Sequence, residues 1–179
     1  MNFNDYQATM VQIWESDKTP EEELLFCSVG MTEEAGECMG KVKRWMRGEG
    51  FDREGYLKEL GDVLAYLVMA HHSVCQMGVE VHSLSRHLQT KPSKPSIDSG
   101  LIQVTVRLST SCLYVLDTVL EKDINNIDWR LTGIFNCLRW CLAADEIQST
   151  FEEVMELNIK KLADRKARNG NLRGSGDNR

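Results

Sequence analysis

Carboxylates recur at helical spacing in two neighbouring stretches of the chain. Glu34 and Glu37 are three residues apart, with Glu33 beside them, and Glu59 and Asp62 repeat the spacing of three. Residues three apart on a helix project from neighbouring positions on one face, so each pair can hold one cation. Ligands that are all oxygen favour a hard ion, which predicts Mg2+ as the cofactor, with Mn2+ as a substitute. Because Mg2+ keeps coordination positions open for water and phosphate, the pattern indicates phosphate chemistry.

A solvated acidic face is the alternative, since that is the usual meaning of a charge run on a helix. The flanking residues argue against it, because Phe26, Val29, Glu33 and Glu37 follow one another in steps of three, four and four. That spacing places the acids on the same helix face as an apolar line. The acidic face is therefore predicted to pack against another helix.

A turn at residues 47–50, which contains two glycines, is predicted to fold the two acidic segments into a helical hairpin. Phe26 and Val29 would then approach Tyr66 and Met69, and the acids would converge at a partly buried place. Converging carboxylates repel one another and lose hydration, which raises their pKa unless a cation compensates their charge. A divalent metal is the simplest compensation.

Length and composition favour one all-α domain. The chain has 179 residues, 42% of them hydrophobic, and its three prolines all lie at or before position 95. We predict a bundle of about five to six helices, in a single domain over residues 1–170. Residues 78–149 form an extended middle segment of that domain, and residues 171–179 form a basic C-terminal tail. The helices are predicted at about 5–14, 20–46, 52–77, 101–121, 128–144 and 150–168, with a connector at 90–96.

Cysteine spacing and charge limit which cellular compartment and which binding partners are expected. None of the six cysteines forms a CxxC pair, so they are interpreted as small buried hydrophobes in a reducing compartment. The sequence shows neither a signal-peptide pattern nor a membrane-spanning run, which predicts a cytoplasmic protein with no membrane partner. The net charge is -6, although residues 160–179 hold seven basic residues against two acidic ones. An acidic body disfavours a nucleic acid polymer as partner, whereas the basic end suits a small polyphosphate or is simply a solvated helix end.

The two later helices of the middle segment repeat the apolar spacing of the acidic hairpin. In that register, Ser111 stands opposite Glu34 and Gly133 opposite Glu59. The second hairpin is then a degenerate copy that packs against the first without its own metal site, although ordinary helical periodicity is the alternative. A helical hairpin needs a second one to complete a bundle, so a homo-oligomer is predicted, with a dimer favoured. The degenerate copy could also supply that partner internally.

Two blocks of sequence carry a resemblance to a known family. Residues 30–37 read Gly-Met-Thr-Glu-Glu-Ala-Gly-Glu, and residues 57–66 read Leu-Lys-Glu-Leu-Gly-Asp-Val-Leu-Ala-Tyr. Both resemble motifs of the MazG-like all-α nucleoside triphosphate pyrophosphohydrolases, a superfamily that includes dimeric dUTPases and dCTP pyrophosphatases. The segment from Phe151 to Lys166 and the tail at 174–179 are similar to the closing part of MazG-like proteins. The resemblance covers residues 1–78 and 150–179.

The resemblance implies an activity and a set of ligands. Glu34, Glu37, Glu59 and Asp62 would bind Mg2+, and Glu33 would be a further ligand or the group that orients and deprotonates the attacking water. The substrate would be an NTP or dNTP, hydrolysed to the monophosphate and pyrophosphate. A non-catalytic nucleotide-sensing or regulatory protein on the same fold is the first alternative, and a structural helical scaffold with a solvated acidic face is the second.

The resemblance also implies substrate contacts outside the acidic pairs. The residues that match are Lys161 and Asn158 for phosphate and sugar, Arg165 as a weaker phosphate contact, Tyr66 beside the sugar or base, and Trp14 against the base. For both aromatic residues, simple packing is the alternative.

Overall fold

The computed structural model describes residues 1–14, 16–88 and 100–169, and within those ranges the chain is all-helical and contains no strand. This confirms the predicted all-α class. The seven α-helices of the described residues are α1 (Phe3–Ile13), α2 (Pro20–Met46), α3 (Arg53–Gln76), α4 (Leu84–Leu88), α5 (Leu101–Leu120), α6 (Ile127–Ala143) and α7 (Phe151–Asn169), with a 3-10 turn at Ile124–Asn126 before α6.

Local capping chemistry sets the ends of the two acidic helices. Thr19 and Glu22 form a reciprocal capping box at the start of α2, with Pro20 as its first residue. The Asp52 side chain accepts a hydrogen bond from the first turn of α3. After α3, Gly78 takes a left-handed φ of +75°, which glycine adopts without strain. The predicted beginnings and ends of these helices are confirmed.

Two helical hairpins make up most of the bundle. α2 and α3 are joined by a short turn in which Gly48 has φ +89°, and α5 and α6 form the second pair. α5 packs on α2 as well as on α6, while α3 also contacts α1, α6 and α7. The predicted second hairpin is thus present inside the chain. That it is a degenerate copy of the first stays a prediction.

Two hydrogen bonds fix the direction of α5. The Ser109 hydroxyl donates to the Ala35 carbonyl at 3.2 Å, near the middle of α2. Thr105, one turn earlier, shares a 2.6 Å hydrogen bond with the hydroxyl of Tyr56, near the turn that joins α2 to α3. α5 therefore runs antiparallel to α2.

Buried apolar side chains from all seven helices form one core cluster. Five of the six cysteines are buried in it, as predicted, while Cys75 is exposed. Burial raises the pKa of Cys141 to about 12, so this thiol stays neutral and packs as a small hydrophobe. Within the described residues, no helix is long and apolar enough to cross a membrane.

Two short elements were not predicted from the sequence, namely α4 and the 3-10 turn at Ile124–Asn126. Neither is long enough to produce a repeating apolar pattern, which is why periodicity did not reveal them. The predicted connector at 90–96 and the basic tail at 171–179 lie outside the described residues. The predicted domain limits stay a prediction.

Candidate metal centre

Three carboxylates from two helices converge between α2 and α3. Glu34 of α2 and both Glu59 and Asp62 of α3 each offer an oxygen, and the three oxygens lie within 4.8 Å of one another. Glu59 is buried, and the other two side chains are half-buried. The hairpin thus brings together one residue of the first acidic pair and both residues of the second.

The electrostatics of the three carboxylates reflect this crowding. Burial first, and then the charges of Asp62 and Glu59, raise the pKa of Glu34 to about 8. Burial is also the largest cause that raises the pKa of Glu59, and the charge of Lys161 opposes it. In the absence of a cation, the site therefore favours a protonated Glu34 at neutral pH.

A chain of hydrogen bonds orients Asp62 from the far end of the sequence. The Asn158 amide donates to Asp62 Oδ1 at 2.9 Å, and Lys161 Nζ donates to Asp62 Oδ2 at 2.5 Å. Asn158 is itself buried, and its Oδ1 accepts a 2.9 Å hydrogen bond from the hydroxyl of Tyr6. Residues of α1 and α7 thus hold the carboxylate of an α3 residue in place.

The other two predicted acids lie at the edge of this group. Glu37 is half-buried, and its charge contributes to the raised pKa of both Glu34 and Glu59, which places it close to them. Glu33 is exposed and does not belong to the three carboxylates whose oxygens lie within 4.8 Å. The role of either residue stays a prediction.

The donor set suits a hard divalent cation. All three converging ligands are carboxylate oxygens, which Mg2+ and Mn2+ prefer over softer donors. The raised pKa of Glu34 shows that the ionised trio lacks full compensation from the neighbouring Lys161. Asp62 accepts one hydrogen bond on each of its oxygens, so each oxygen keeps a lone pair that could contact a metal.

An aromatic cluster stands beside the acids. The ring of Tyr66 packs edge-on against Trp14 and Phe26, with centroid distances of 5.6 and 6.0 Å. Gly30 lies directly under that ring, since a Cβ built on it would be 2.6 Å from Tyr66 Cε1. Burial and then the charges of Glu34 and Asp62 raise the pKa of Tyr66 to about 12, so its hydroxyl borders the carboxylates.

The predicted approach of Phe26 to Tyr66 is confirmed, because their ring centroids lie 6.0 Å apart. Val29 has a side chain that is 49% exposed, and its approach to Met69 stays a prediction. The line of α2 that meets α3 runs through Gly30 and Glu34, one residue further along the helix. One residue is a rotation of about 100° on an α-helix, so the line of Val29 and Glu33 turns toward solvent.

A polar cavity of about 620 Å3 borders the acidic trio at Glu59. Helices α2, α3 and α7 form its walls. Five of its lining residues are cations: Lys41, Lys58, Lys160, Lys161 and Arg168. The remaining lining residues are Asp52, Glu54, Gly55, Leu157 and Asp164.

Lys41 is the clearest site residue that the sequence analysis missed. Its Nζ donates to Asp52 Oδ2 at 2.6 Å and lies 3.7 Å from Glu59 Oε1. Its spacing of seven residues from Glu34 and four from Glu37 could have revealed that it shares their helix face. Arg165, in contrast, is half-buried one turn beyond Lys161 and is absent from the cavity lining.

Glu23 is the second residue that the sequence analysis missed. It is buried, and its carboxylate accepts a 2.8 Å hydrogen bond from Trp14 Nε1 and another from the hydroxyl of Ser16. This contact holds the Trp14 ring at the edge of the aromatic cluster. No local spacing predicts it, because the partners lie on either side of the turn between α1 and α2.

Comparisons with known proteins returned no match: no protein-family model fits the chain, and no curated protein or solved structure is significantly similar to it. The MazG-like resemblance therefore stays a prediction that rests on the motifs quoted above.

Proposed function

We propose that this protein is a Mg2+-dependent nucleoside triphosphate pyrophosphohydrolase, with Mn2+ able to substitute. The observation that carries the proposal is the convergence of Glu34, Glu59 and Asp62 within 4.8 Å beside a cavity with five cationic side chains. Carboxylates that hold a hard cation next to lysines and an arginine suit a substrate with several phosphates. A solvated acidic face would have neither the burial of Glu59 nor an adjoining cavity to which five cationic side chains contribute.

Different residues of the chain would bind the metal and the phosphates. Glu34, Glu59 and Asp62 would hold the metal, with Glu37 as the next carboxylate. Mg2+, when bound, would neutralise phosphate charge and lower the pKa of a coordinated water. Cationic groups of the cavity, among them Lys161, would hold the phosphates in position.

The reaction needs one water and one proton acceptor. The water oxygen would form a bond to the α-phosphorus, the bond from that phosphorus to the α–β bridging oxygen would break, and pyrophosphate would leave. Glu33 and Glu34 are the carboxylates assigned to take the proton of the water. The ring edges of Tyr66 and Trp14 would border the sugar and the base.

Pyrophosphate release is the decisive assay. The full chain is incubated with a panel of NTPs and dNTPs in the presence of Mg2+, Mn2+ or a chelator. We expect release with either metal and none with the chelator. Glu34→Gln should reduce the rate at least about a hundredfold, because it removes a metal ligand and a proton acceptor.

Glu21→Gln is the matched control, since Glu21 is an exposed carboxylate in the first turn of the same helix. It should leave the rate unchanged. If the folded protein binds metal and nucleotide but turns over no member of the panel, the catalytic proposal fails and a nucleotide-sensing role replaces it.

A further inference from the structure

Helix α5 is apolar on two sides, and the described residues cover only one of them. Its buried side packs on α2 and α6 through residues such as Leu108, Cys112 and Val115. A second line, with five aliphatic residues and one serine, is exposed or half-buried instead. We call this line the α5 stripe; it comprises Ile102, Val106, Ser109, Leu113, Leu116 and Leu120.

The stripe has the spacing of a helix-pairing seam. Its members follow one another in alternating steps of four and three, which is the a/d pattern of a coiled coil. The side chains of Ile102, Val106, Leu113 and Leu120 are 38%, 44%, 53% and 62% exposed. The twenty residues of α5 contain only two charged side chains, Arg107 and Asp117. A solvated helix would carry polar residues at these positions.

We propose that the α5 stripe is a docking surface for a second copy of this chain, with the stripes of the two copies packed against each other about a twofold axis. A twofold axis brings the same patch of both subunits together, so a self-complementary apolar seam suffices. The inference is independent of the proposed function.

The segments outside the described ranges are poor in large apolar residues. Residues 89–99 contain one large apolar residue, Ile97, among two prolines and several polar residues. Residues 170–179 likewise contain only Leu172. A seam with five large aliphatic positions needs a partner that is equally rich in them. Another copy of α5 supplies such a partner.

The size of the surface also fits a dimer. A helix of twenty residues is about 30 Å long and about 10 Å wide. The stripe borders α2, since Ser109 donates to the Ala35 carbonyl, and α2 exposes Leu25 and Val29 as well. Two neighbouring helices therefore offer a face of about 30 by 20 Å, which approaches the roughly 800 Å2 that each partner buries in a standard interface.

Sedimentation of the full chain tests the inference, with Leu113→Glu as the disrupting variant and Tyr114→Glu as the control. Tyr114 is 57% exposed on the same helix, but it lies off the stripe, where the Arg130 guanidinium covers its ring. We expect the wild type and Tyr114→Glu to sediment as dimers and Leu113→Glu as a monomer. Leu113→Ala, which only shortens an exposed side chain, should weaken the dimer at least about tenfold.

A wild type that stays monomeric at about 100 μM would overturn the inference. So would a dimer that survives Leu113→Glu, or one that Tyr114→Glu dissociates equally. Circular dichroism establishes that each variant is folded, and Leu113→Ala decides the question if the charged variant is not.

Discussion

Glu34 links proton binding to stability, because the fold raises the pKa of its carboxyl to about 8 from an ordinary value near 4.5. Burial is the largest cause, followed by the charges of Asp62 and Glu59. A carboxyl with a raised pKa stabilises the folded state while it is protonated. That stability is fully present below the unfolded pKa and is lost as the pH rises through the folded pKa.

The first prediction concerns this pH dependence in the metal-free protein. In the presence of chelator, the midpoint temperature of unfolding should fall as the pH is raised from 5 to 8.5. Glu34→Gln should remove part of this decrease. At pH 8.5 the variant should melt on the order of 3 °C above the wild type, after allowance for solvent screening of a half-buried group. Differential scanning calorimetry with a Glu21→Gln control measures this. If Glu34→Gln destabilises the protein at pH 8.5, the three carboxylates do not repel one another.

Tyr6 and Asn158 offer a second prediction, because their buried hydrogen bond connects α1 to α7. Tyr6→Phe removes the donor and leaves the side-chain oxygen Oδ1 of Asn158 unpaired, which should lower the unfolding free energy by about 1–3 kcal/mol. Urea unfolding measures the loss. Tyr114→Phe, at an exposed tyrosine, should change the unfolding free energy by less than about 0.5 kcal/mol. Equal effects of the two substitutions would mean that the Tyr6 bond does not contribute to stability.

At the scale of elements, the contact between α2 and α3 depends on a glycine. A Cβ on Gly30 would lie 2.6 Å from the Tyr66 ring, whereas one on Gly40, in the same helix, would have no neighbour within 4 Å. Gly30→Ala should therefore destabilise the protein by about 1–3 kcal/mol, because Tyr66 or a whole helix must move. Gly40→Ala should stabilise it by about 0.5–1 kcal/mol through helix propensity alone.

Chemical denaturation at one fixed protein concentration compares the two alanine variants. Opposite signs are expected. If both variants are stabilised, the Tyr66 ring moves aside at little cost and the close approach of the helices does not matter.

The limits of α2 and α3 could be predicted because their signals are local. Thr19, Asp52 and Gly78 act on the backbone within a few residues of themselves, so neighbouring sequence suffices to locate each helix end. The hairpin between the two helices followed from the turn at 47–50. That acids of the two helices converge also followed from spacing.

Which face of α2 packs against α3 could not be predicted in the same way. Glu33 and Glu34 are adjacent acids, and each continues a plausible line along the helix, through Val29 or through Gly30. Only the packing of Gly30 under Tyr66 decides between them. Lys41 and Glu23 were missed for a related reason, since their partners become neighbours only when the helices are assembled.

At the scale of the whole molecule, the site joins residues that are far apart in the chain. Lys161 and Asp62, which are 99 residues apart, meet through α7 and α3. A ligand that contacts both should therefore be linked to global unfolding, not to the opening of one helix. Metal and nucleotide binding should each raise the unfolding midpoint, and their separate contributions should be distinguishable by substitution.

The last prediction uses that distinction. Mg2+ with an α,β-methylene triphosphate analogue, which cannot be cleaved at the α–β bridge, should raise the midpoint more than Mg2+ alone. At about 100 times its Kd, a ligand adds about 2.7 kcal/mol, which corresponds to roughly 5–10 °C for a domain of this size. Lys161→Ala should retain the shift with Mg2+ alone, because the carboxylates remain, but should lose most of the nucleotide increment. If the increment survives in Lys161→Ala, the phosphates bind elsewhere, and the cavity beside Glu59 is not their site.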